Sequence, residues 1–273
     1  MPIYQAIILA IVQGFTEFLP VSSSAHLALA PWLLGWQDQG LTFDIALHFG
    51  TLLAIVFYFG RDWLQIVAQA FGVNYSPDPD LRLNHKLLWL LAAASLPIGV
   101  FGLLFEKQAE TTLRRPEVIG TMLILIGLLM LYADKVGQRI RNIGTVGLAD
   151  SLAIGFSQAL AIVPGTSRSG ITISTGLFRG LDRYSAGKFS FLLSTPAVTA
   201  AAAKSLYDLK KHGGVPAEMQ MPFIIGILVS AIVGIVVIKV FLQFLRSNSL
   251  KFFVYYRIVF GLIVLTLALF IRP

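Results

Sequence analysis

The sequence predicts an all-α integral membrane protein with six transmembrane helices and two re-entrant helical hairpins in an inverted repeat. Hydrophobic residues make up 56% of its 273 residues and charged residues only 13%, whereas soluble domains are about 25% charged. Its apolar stretches run for about 17–25 residues between charged connectors, which indicates helices, because barrel strands would alternate in polarity. We therefore expect residues 1–273 to form a single membrane domain.

Net charge and cysteine content narrow the possible functions. The net charge is +7, but most of the 21 Lys and Arg residues lie in short connectors between apolar stretches. Connectors of that kind face anionic lipid headgroups, so nucleic-acid binding is not predicted. The chain has no Cys, which excludes disulfides, thiolate zinc sites and cysteine nucleophiles.

Six stretches are apolar and long enough to cross a bilayer. They are separated by connectors rich in Pro, Gly and basic residues, which end helices. The predicted spans are Phe43–Phe59, Lys86–Phe105, Val118–Tyr132, Ser185–Ala203, Phe223–Leu245 and Phe252–Ile271.

Two other segments, Ile7–Trp36 and Leu148–Leu181, are apolar at their ends and polar in the middle. Each is too interrupted for one span and too short for two. Non-helical backbone at membrane depth is tolerated only where protein or a water-filled cavity surrounds it. We therefore predict that each segment forms two half-helices joined by a polar turn.

The two hairpins also resemble each other. The segment Pro20-Val-Ser-Ser23 matches Pro164-Gly-Thr-Ser167 at an offset of 144 residues (164 − 20). The halves, approximately 1–137 and 145–273, would each hold one hairpin and three spans, and an odd number of spans inverts the second half. Inverted repeats with broken helices place their site near the bilayer midplane. Chance similarity between apolar sequences is the alternative.

The first polar motif contains the parts of an activated nucleophile. Gln13 and Glu17 share one helix face, and an ionisable Glu inside an apolar segment is costly enough to suggest a function. The alternative is a protonated Glu beside hydroxyls that bond to nearby backbone. A carboxylate, a hydroxyl and an imidazole together can activate a nucleophile. The hydroxyl and imidazole groups that follow Glu17 in the motif belong to Ser22, Ser23, Ser24 and His26.

The second polar motif, Pro164-Gly-Thr-Ser-Arg-Ser-Gly170, has the features of an anion site. Its small residues let the backbone curl closely, and the helix that follows would point its N-terminus at the turn. Arg168 adds a planar fork that suits two phosphate oxygens. The alternative is a structural turn whose Arg reaches the membrane interface, which is difficult if the turn lies near the bilayer centre.

Charged residues inside the predicted spans are weaker candidates. Lys188 and Lys239 are explained by long side chains that reach the interface or a helix end. Asp44 and His48 share one helix face. They either line the site or begin the helix, and the sequence does not separate these two roles.

Together, the motifs from Gln13 to His26 and from Pro164 to Gly170 resemble the undecaprenyl-diphosphate phosphatases of the bacitracin-resistance family. The resemblance covers nearly the whole chain in length, hydropathy and motif order. It implies hydrolysis of undecaprenyl diphosphate to undecaprenyl phosphate and phosphate, which recycles the lipid carrier for peptidoglycan synthesis. It also implies a divalent cation, Mg²⁺ or Ca²⁺, and a place in the bacterial plasma (inner) membrane.

Matching positions give the site residues that this resemblance implies. Ser23 is the expected nucleophile and Glu17 the essential acid, with His26 as the motif histidine, although these residues do not decide whether Ser23 or His26 attacks phosphorus. Glu17 and Gln13 would bind the metal. Position 13 is Glu or Gln in the family, and the Gln found here gives the site one negative charge fewer than Glu would. The implied phosphate-binding residues are Arg168, Ser167, Ser169, Thr166, Gly165, Ser22 and Ser24.

A transporter or flippase of polyprenyl phosphate or a small anion is the alternative function, because inverted repeats with re-entrant hairpins are transporter architecture. A nucleophile that faces an Arg turn favours catalysis instead.

We expect polyprenyl diphosphate and membrane lipids as partners, and we leave a homodimer open. In the predicted topology both termini lie on one side of the membrane, and the connectors on the opposite side hold more Lys and Arg. The positive-inside rule places that opposite side in the cytoplasm. The first hairpin then enters from the outside, which predicts an active site open to the outer (periplasmic) face.

Overall fold

The computed structural model describes residues 1–37, 40–73, 75, 77–105, 108, 111–211 and 214–271, and within these ranges the chain is helical with no β-strand. The predicted all-α class is therefore confirmed. The helices are α1 Ile3–Thr16, α2 Ser23–Leu34, α3 Gly40–Tyr58, α4 Gly60–Ala70, α5 Pro79–Arg82, α6 Leu87–Leu104, α7 Pro116–Val136, α8 Leu148–Ala159, α9 Arg168–Phe178, α10 Arg183–Lys211, α11 Ala217–Ser247 and α12 Lys251–Thr266.

Among the described residues, four helices are long and apolar enough to cross a membrane, namely α6, α7, α11 and α12 with its extension to Phe270. A fifth candidate is the pair α3 and α4, which bends by 69° at the break between them. The chain is thus an integral membrane protein with four or five candidate spans in its described part. The arrangement of six spans and two re-entrant hairpins stays a prediction.

Helix α10 contains the predicted span Ser185–Ala203 but is not among these candidates. Polar side chains in its first half face other helices, since Ser190 and Ser194 are completely buried and Lys188 is 2% exposed. A helix that protein surrounds does not need the apolar composition that lipid demands. Length and composition alone therefore do not identify α10 as a span.

Each polar segment forms two short helices joined by a turn, as predicted: α1 and α2 in the first, α8 and α9 in the second. The first helices begin 145 residues apart (148 − 3), and so do the second helices (168 − 23). This offset is one residue longer than the offset of 144 residues at which the two motif sequences match. Ser22, rather than Ser23, therefore occupies the backbone position of Ser167, immediately before the second helix of its hairpin.

A cluster of buried aromatic rings fixes the first hairpin against the rest of the protein. The ring of Phe191 in α10 lies 5.4 Å from Phe18, 6.4 Å from Phe59 and 6.0 Å from Phe241. All four rings are at most 1% exposed, and burying each side chain contributes roughly 1.5–3 kcal/mol. Because Phe18 follows Glu17 directly, the same packing holds the first polar motif in place.

A buried lysine joins α10 to the connector before α5. Lys188 Nζ lies 2.6 Å from Asp78 Oδ2 and 3.2 Å from Asp62 Oδ1. Partial burial by itself would raise the pKa of Asp78, but the hydrogen bond and the charge of Lys188 outweigh it and lower that pKa. Asp78 also accepts hydrogen bonds from the amides of Asp80 and Leu81, which caps α5.

We expect Asp78→Asn to lower the stability of the protein at pH 7 by about 1 kcal/mol, or roughly 2–4 °C in Tm. Asn still caps α5, so the substitution removes mainly the ion pair with Lys188. The pKa of Asp78 is lower in the folded state, so its contribution is present above the unfolded pKa and is lost as the pH falls through the folded pKa. Thermal unfolding in detergent should show a gap between variant and parent at pH 7 that narrows as the pH falls below about 4 and closes below the folded pKa. A gap that stays constant from pH 7 through that acidic range would contradict this assignment.

Candidate active site

The turns of the two hairpins meet inside the protein and share an unusual backbone conformation. Ser22 has φ of +76° and Ser167 has φ of +68°, a region that costs a residue other than glycine about 1–3 kcal/mol and is enriched at functional sites. Ser169 Oγ donates a hydrogen bond to the Leu19 carbonyl at 3.1 Å and so joins the two turns. The helices α2 and α9 begin immediately after the strained residues.

Glu17 is the centre of the site and connects the two motifs. Its Oε1 accepts a hydrogen bond from Arg168 Nη2 at 2.9 Å, and its Oε2 accepts one from Ser23 Oγ at 2.6 Å. Glu17 is 7% exposed, so both hydrogen bonds lie in surroundings that strengthen charge-assisted contacts. Two segments far apart in sequence thus bring together a hydroxyl, a carboxylate that can accept its proton, and a guanidinium group.

His48 supplies the imidazole nearest to this carboxylate. Its Nε2 lies 3.5 Å from Glu17 Oε2, and its Nδ1 lies 2.7 Å from the Asp44 carbonyl oxygen. Because Nδ1 faces an acceptor, it carries a proton, and a second proton on Nε2 would complete an ion pair with Glu17. Of the two roles that the sequence left open for His48, the structure supports the one in the site.

His26, the motif histidine, lies in α2 and packs against α12. Its Nδ1 is hydrogen-bonded to the Ser22 carbonyl at 2.7 Å, and its Nε2 to Tyr256 Oη at 2.6 Å. Its ring stacks on Phe260 with centroids 4.9 Å apart. Both ring nitrogens are thus used away from Glu17, and the catalytic role that the resemblance implies for His26 stays a prediction.

A cavity of about 700 Å³ opens from this polar cluster. Glu17, Ser23 and Arg168 line it together with His48, and apolar residues of α6 and α10 form much of its remaining wall. Two further basic residues, Arg114 and Lys204, also line it. This combination of a charged cluster with apolar walls suits a ligand that has an anionic group and a hydrocarbon chain.

The predicted phosphate-binding residues divide into two groups. Arg168, Ser167, Ser22 and Ser24 line the cavity. The other residues of the set lie in the wall behind it, where Ser169 bonds to the Leu19 carbonyl and the carbonyls of Gly165 and Thr166 face a buried arginine. Only the first group is placed to contact a ligand directly.

Gln13 and Gln158 are equivalent residues, because each is the eleventh residue of the first helix in its hairpin. Both are completely buried. Gln13 Nε2 donates to Glu17 Oε2 at 3.1 Å, while Gln13 Oε1 and both polar atoms of Gln158 have no hydrogen-bond partner in the described part of the chain. Gln158 also lines the cavity. Sequence reasoning did not select Gln158, although an offset of 145 residues would have paired it with Gln13.

Gln158→Leu is expected to raise the stability of the protein by about 1 kcal/mol, because a buried carboxamide without partners costs about 1–3 kcal/mol and Leu has a similar volume. Gln13→Leu is the matched control and should lower stability, since Gln13 bonds to Glu17 and lies 3.4 Å from Thr51 Oγ1. Thermal unfolding of the three proteins in one detergent measures both effects. A Gln158→Leu protein less stable than its parent would show that this carboxamide is satisfied.

The oxygen atoms at the site fit a hard divalent cation to a limited extent. The described residues contain no group of three or more His, Asp or Glu side chains that could bind a metal ion. Glu17 contributes a carboxylate, and the unpartnered Gln13 Oε1 contributes a second oxygen nearby. Mg²⁺ is commonly bound by one or two carboxylates together with substrate phosphates. The residues present therefore fit a cation that a phosphorylated ligand helps to hold.

Comparison with known proteins gives a consistent set of relatives. A family model described as bacitracin resistance protein BacA matches residues 6–263. A protein of Moorella thermoacetica named undecaprenyl-diphosphatase is 47% identical over 264 residues, which cover 97% of each chain. Proteins of the same name from Pelotomaculum thermopropionicum and Desulforudis audaxviator are 44% and 43% identical, and each alignment covers 97–98% of both chains. The matched region includes both hairpins.

Proposed function

Because this chain belongs to the bacitracin resistance protein BacA family, we propose that it is an undecaprenyl-diphosphatase. It hydrolyses undecaprenyl diphosphate to undecaprenyl phosphate and phosphate, which recycles the carrier lipid for cell-wall synthesis. The observation that supports this most directly is the convergence of Ser23, Glu17 and Arg168 from two hairpins on one cavity with apolar walls. Transport alone needs no nucleophile at such a position.

In the proposed reaction, Ser23 Oγ attacks the terminal phosphorus atom and gives its proton to Glu17 Oε2, which lies 2.6 Å away. The bond between that phosphorus and the bridging oxygen breaks, and undecaprenyl phosphate leaves with the bridging oxygen. Water then attacks the phosphoserine, and phosphate leaves as Ser23 regains a proton. Glu17 takes the proton of Ser23 and passes it to the departing undecaprenyl phosphate. It then takes a proton from the attacking water and returns it to Ser23 Oγ as phosphate leaves.

Arg168 stabilises the charge that develops on the transferred phosphoryl group. Its guanidinium group is held by Glu17 Oε1 at 2.9 Å and by the Ser190 carbonyl at 3.3 Å. A phosphate at the cavity end would replace one of these partners and receive two parallel N–H donors. The N-terminus of α9 begins at the same residue and adds its backbone dipole.

We also propose that a divalent cation, Mg²⁺ or Ca²⁺, takes part. Glu17 and Gln13 would hold it together with phosphate oxygens of the substrate, which agrees with the unpartnered Gln13 Oε1. Such a cation supplies neutralisation of the diphosphate charge. Gln at position 13 gives the site one charge fewer than Glu would, so we expect the metal to bind weakly in the absence of substrate.

Phosphate release from undecaprenyl or farnesyl diphosphate by the purified protein in detergent tests this function. We expect release that a chelator abolishes and that added Mg²⁺ or Ca²⁺ restores. A folded protein that releases no phosphate with either cation would favour a transporter instead. Release that survives the chelator would contradict the cation requirement alone.

We propose that the cavity opens to the outer face, with both termini outside the cytoplasm. The support is the larger number of basic residues in the connectors opposite the termini. The terminal residues Arg272 and Pro273 lie outside the described part of the chain. With this orientation, alkaline phosphatase fused to the C-terminus should be active. An inactive alkaline phosphatase fusion together with a fluorescent protein that glows at the same position would show the opposite orientation.

The homodimer stays a prediction, which a mass measurement in detergent can test.

A further inference from the structure

Arg257 in α12 is the largest completely buried side chain among the described residues. In that part of the chain no carboxylate lies within ion-pair distance of its guanidinium group, whose hydrogen bonds all go to backbone carbonyls. The acceptors are Gly165 at 2.8 Å, Pro20 and Thr166 at 3.1 Å, Leu123 at 3.2 Å and Met122 at 3.4 Å. None of the catalytic steps above uses this charge.

Two of these acceptors are equivalent positions in the two turns. Pro20 lies two residues before the strained Ser22, and Gly165 lies two residues before the strained Ser167. Arg257 Nη1 donates to the first carbonyl and Arg257 Nη2 to the second. One planar group therefore bridges the turns of both hairpins. A further bond goes to Thr166 in the second turn, and the bonds to Leu123 and Met122 fasten the turns to α7.

Burying the charged guanidinium group of Arg257 is energetically costly, which points to a role beyond filling space. Transfer of an ion from water into a protein interior costs several kcal/mol even after the protein relaxes. Proteins in which packed hydrophobic residues of similar volume replace buried ionic groups are often equally stable or more stable. Hydrogen bonds that involve a charged group contribute about 1.5–3 kcal/mol each and offset the loss. A Met or Leu could fill the same space but could not bond to two turns at once.

We propose that Arg257 is a positioning residue, which holds the two turns so that Ser23 Oγ and the Arg168 guanidinium group face the same phosphate. The proposal rests on the proposed phosphatase function. Arg257 is completely buried and does not line the catalytic cavity, so it acts through the backbone of the turns. Misplacing reacting groups by about 1 Å can slow a reaction about 100-fold.

Arg257→Lys tests this role because it keeps the charge but replaces the five-donor fork with one ammonium group. We expect kcat for phosphate release to fall by about 100-fold, with KM changed by less than about 3-fold. Arg183→Lys is the matched control, since Arg183 is also an arginine with little exposure but bonds to Asp134 away from the cavity. Its kcat should stay close to that of the parent.

A distance measurement tests the bridge independently of activity. The chain contains no Cys, so spin labels can be attached at Phe15→Cys and Leu160→Cys, equivalent and exposed positions before the two turns. The distance distribution between the labels should be narrow in the parent and in Arg183→Lys, and broader or shifted in Arg257→Lys. If the parent releases no phosphate, the proposed function fails while this measurement still decides whether Arg257 fixes the turns.

An unchanged kcat in folded Arg257→Lys would overturn the proposal. So would a lower kcat with an unchanged distance distribution, because the effect would then not pass through the turns. If the Lys variant does not fold, Arg257→Gln provides the second test, since it removes the buried charge and keeps an amide that reaches one turn. Failure of both variants to fold would assign Arg257 to folding rather than to positioning.

Discussion

Replacing Arg168 by Lys should reduce phosphate release by at least about 100-fold, although the positive charge is kept. Arg168 now donates to Glu17 through Nη2 and to the Ser190 carbonyl through Nη1. The planar fork can present two parallel donors to a phosphate, whereas the lysine ammonium group is a point charge on a flexible chain. Loss of one preorganised donor to a developing charge typically costs 100- to 1,000-fold in kcat.

The measurement is the steady-state rate of phosphate release by parent and variant proteins in the same detergent. Arg179→Lys is a suitable control, because Arg179 bonds to Asp150 at 2.7 Å and does not line the cavity. Near-normal turnover of a correctly folded Arg168→Lys protein would exclude the phosphate-binding role. A similar loss in both variants would indicate a general sensitivity to Arg replacement.

Ser23→Ala should abolish measurable turnover, with a loss of at least about 1,000-fold, as expected when a nucleophile is removed. Ser23 Oγ donates to Glu17 Oε2 at 2.6 Å and is therefore aligned to lose its proton. Ser24→Ala should be milder, because among the described side chains Ser24 Oγ hydrogen-bonds only to Ser22 Oγ, at 3.2 Å, and not to Glu17. Burst kinetics and trapping of a phosphorylated peptide would identify the residue that attacks.

The same experiment distinguishes Ser23 from His26. If His26 were the nucleophile, His26→Ala would be inactive and Ser23→Ala would keep substantial turnover. The hydrogen bonds of His26 to the Ser22 carbonyl and to Tyr256 favour the opposite result. Equal losses in Ser23→Ala and Ser24→Ala would leave Ser23 without a special role.

The helical fold and the two broken segments could be predicted because both depend on local composition. An apolar run needs a helix in lipid, and a polar interruption with Pro or Gly ends one. The span predicted within α10 stays a prediction, because Ser190 and Lys188 make this helix less apolar and are buried against protein rather than exposed to lipid. Local composition did not indicate the 69° bend between α3 and α4.

Local motifs also predicted which polar side chains come together, since Glu17, Ser23 and Arg168 converge as expected. The catalytic roles of these residues stay a prediction. Local motifs could not show the importance of Gln158 and Arg257. Gln158 stands out because its buried polar atoms have no hydrogen-bond partner in the described part of the chain, and Arg257 because its partners are distant in sequence. Arg257 lies 237 residues from Pro20, and only the folded chain shows that they touch. For Gln158, the useful signal was the spacing of the repeat rather than the residue itself.

The bridge made by Arg257 has a consequence for the order in which the protein matures. Chains emerge from the ribosome with the N-terminal part first, at about 5–20 residues per second. Both hairpins precede α12, so their turns are synthesised and inserted before the guanidinium group that joins them exists. Until then the carbonyls of Pro20 and Gly165 need other partners. With the positioning role proposed for Arg257, the catalytic geometry is completed only after α12 has entered the membrane, and we expect a nascent chain to stay inactive until that point.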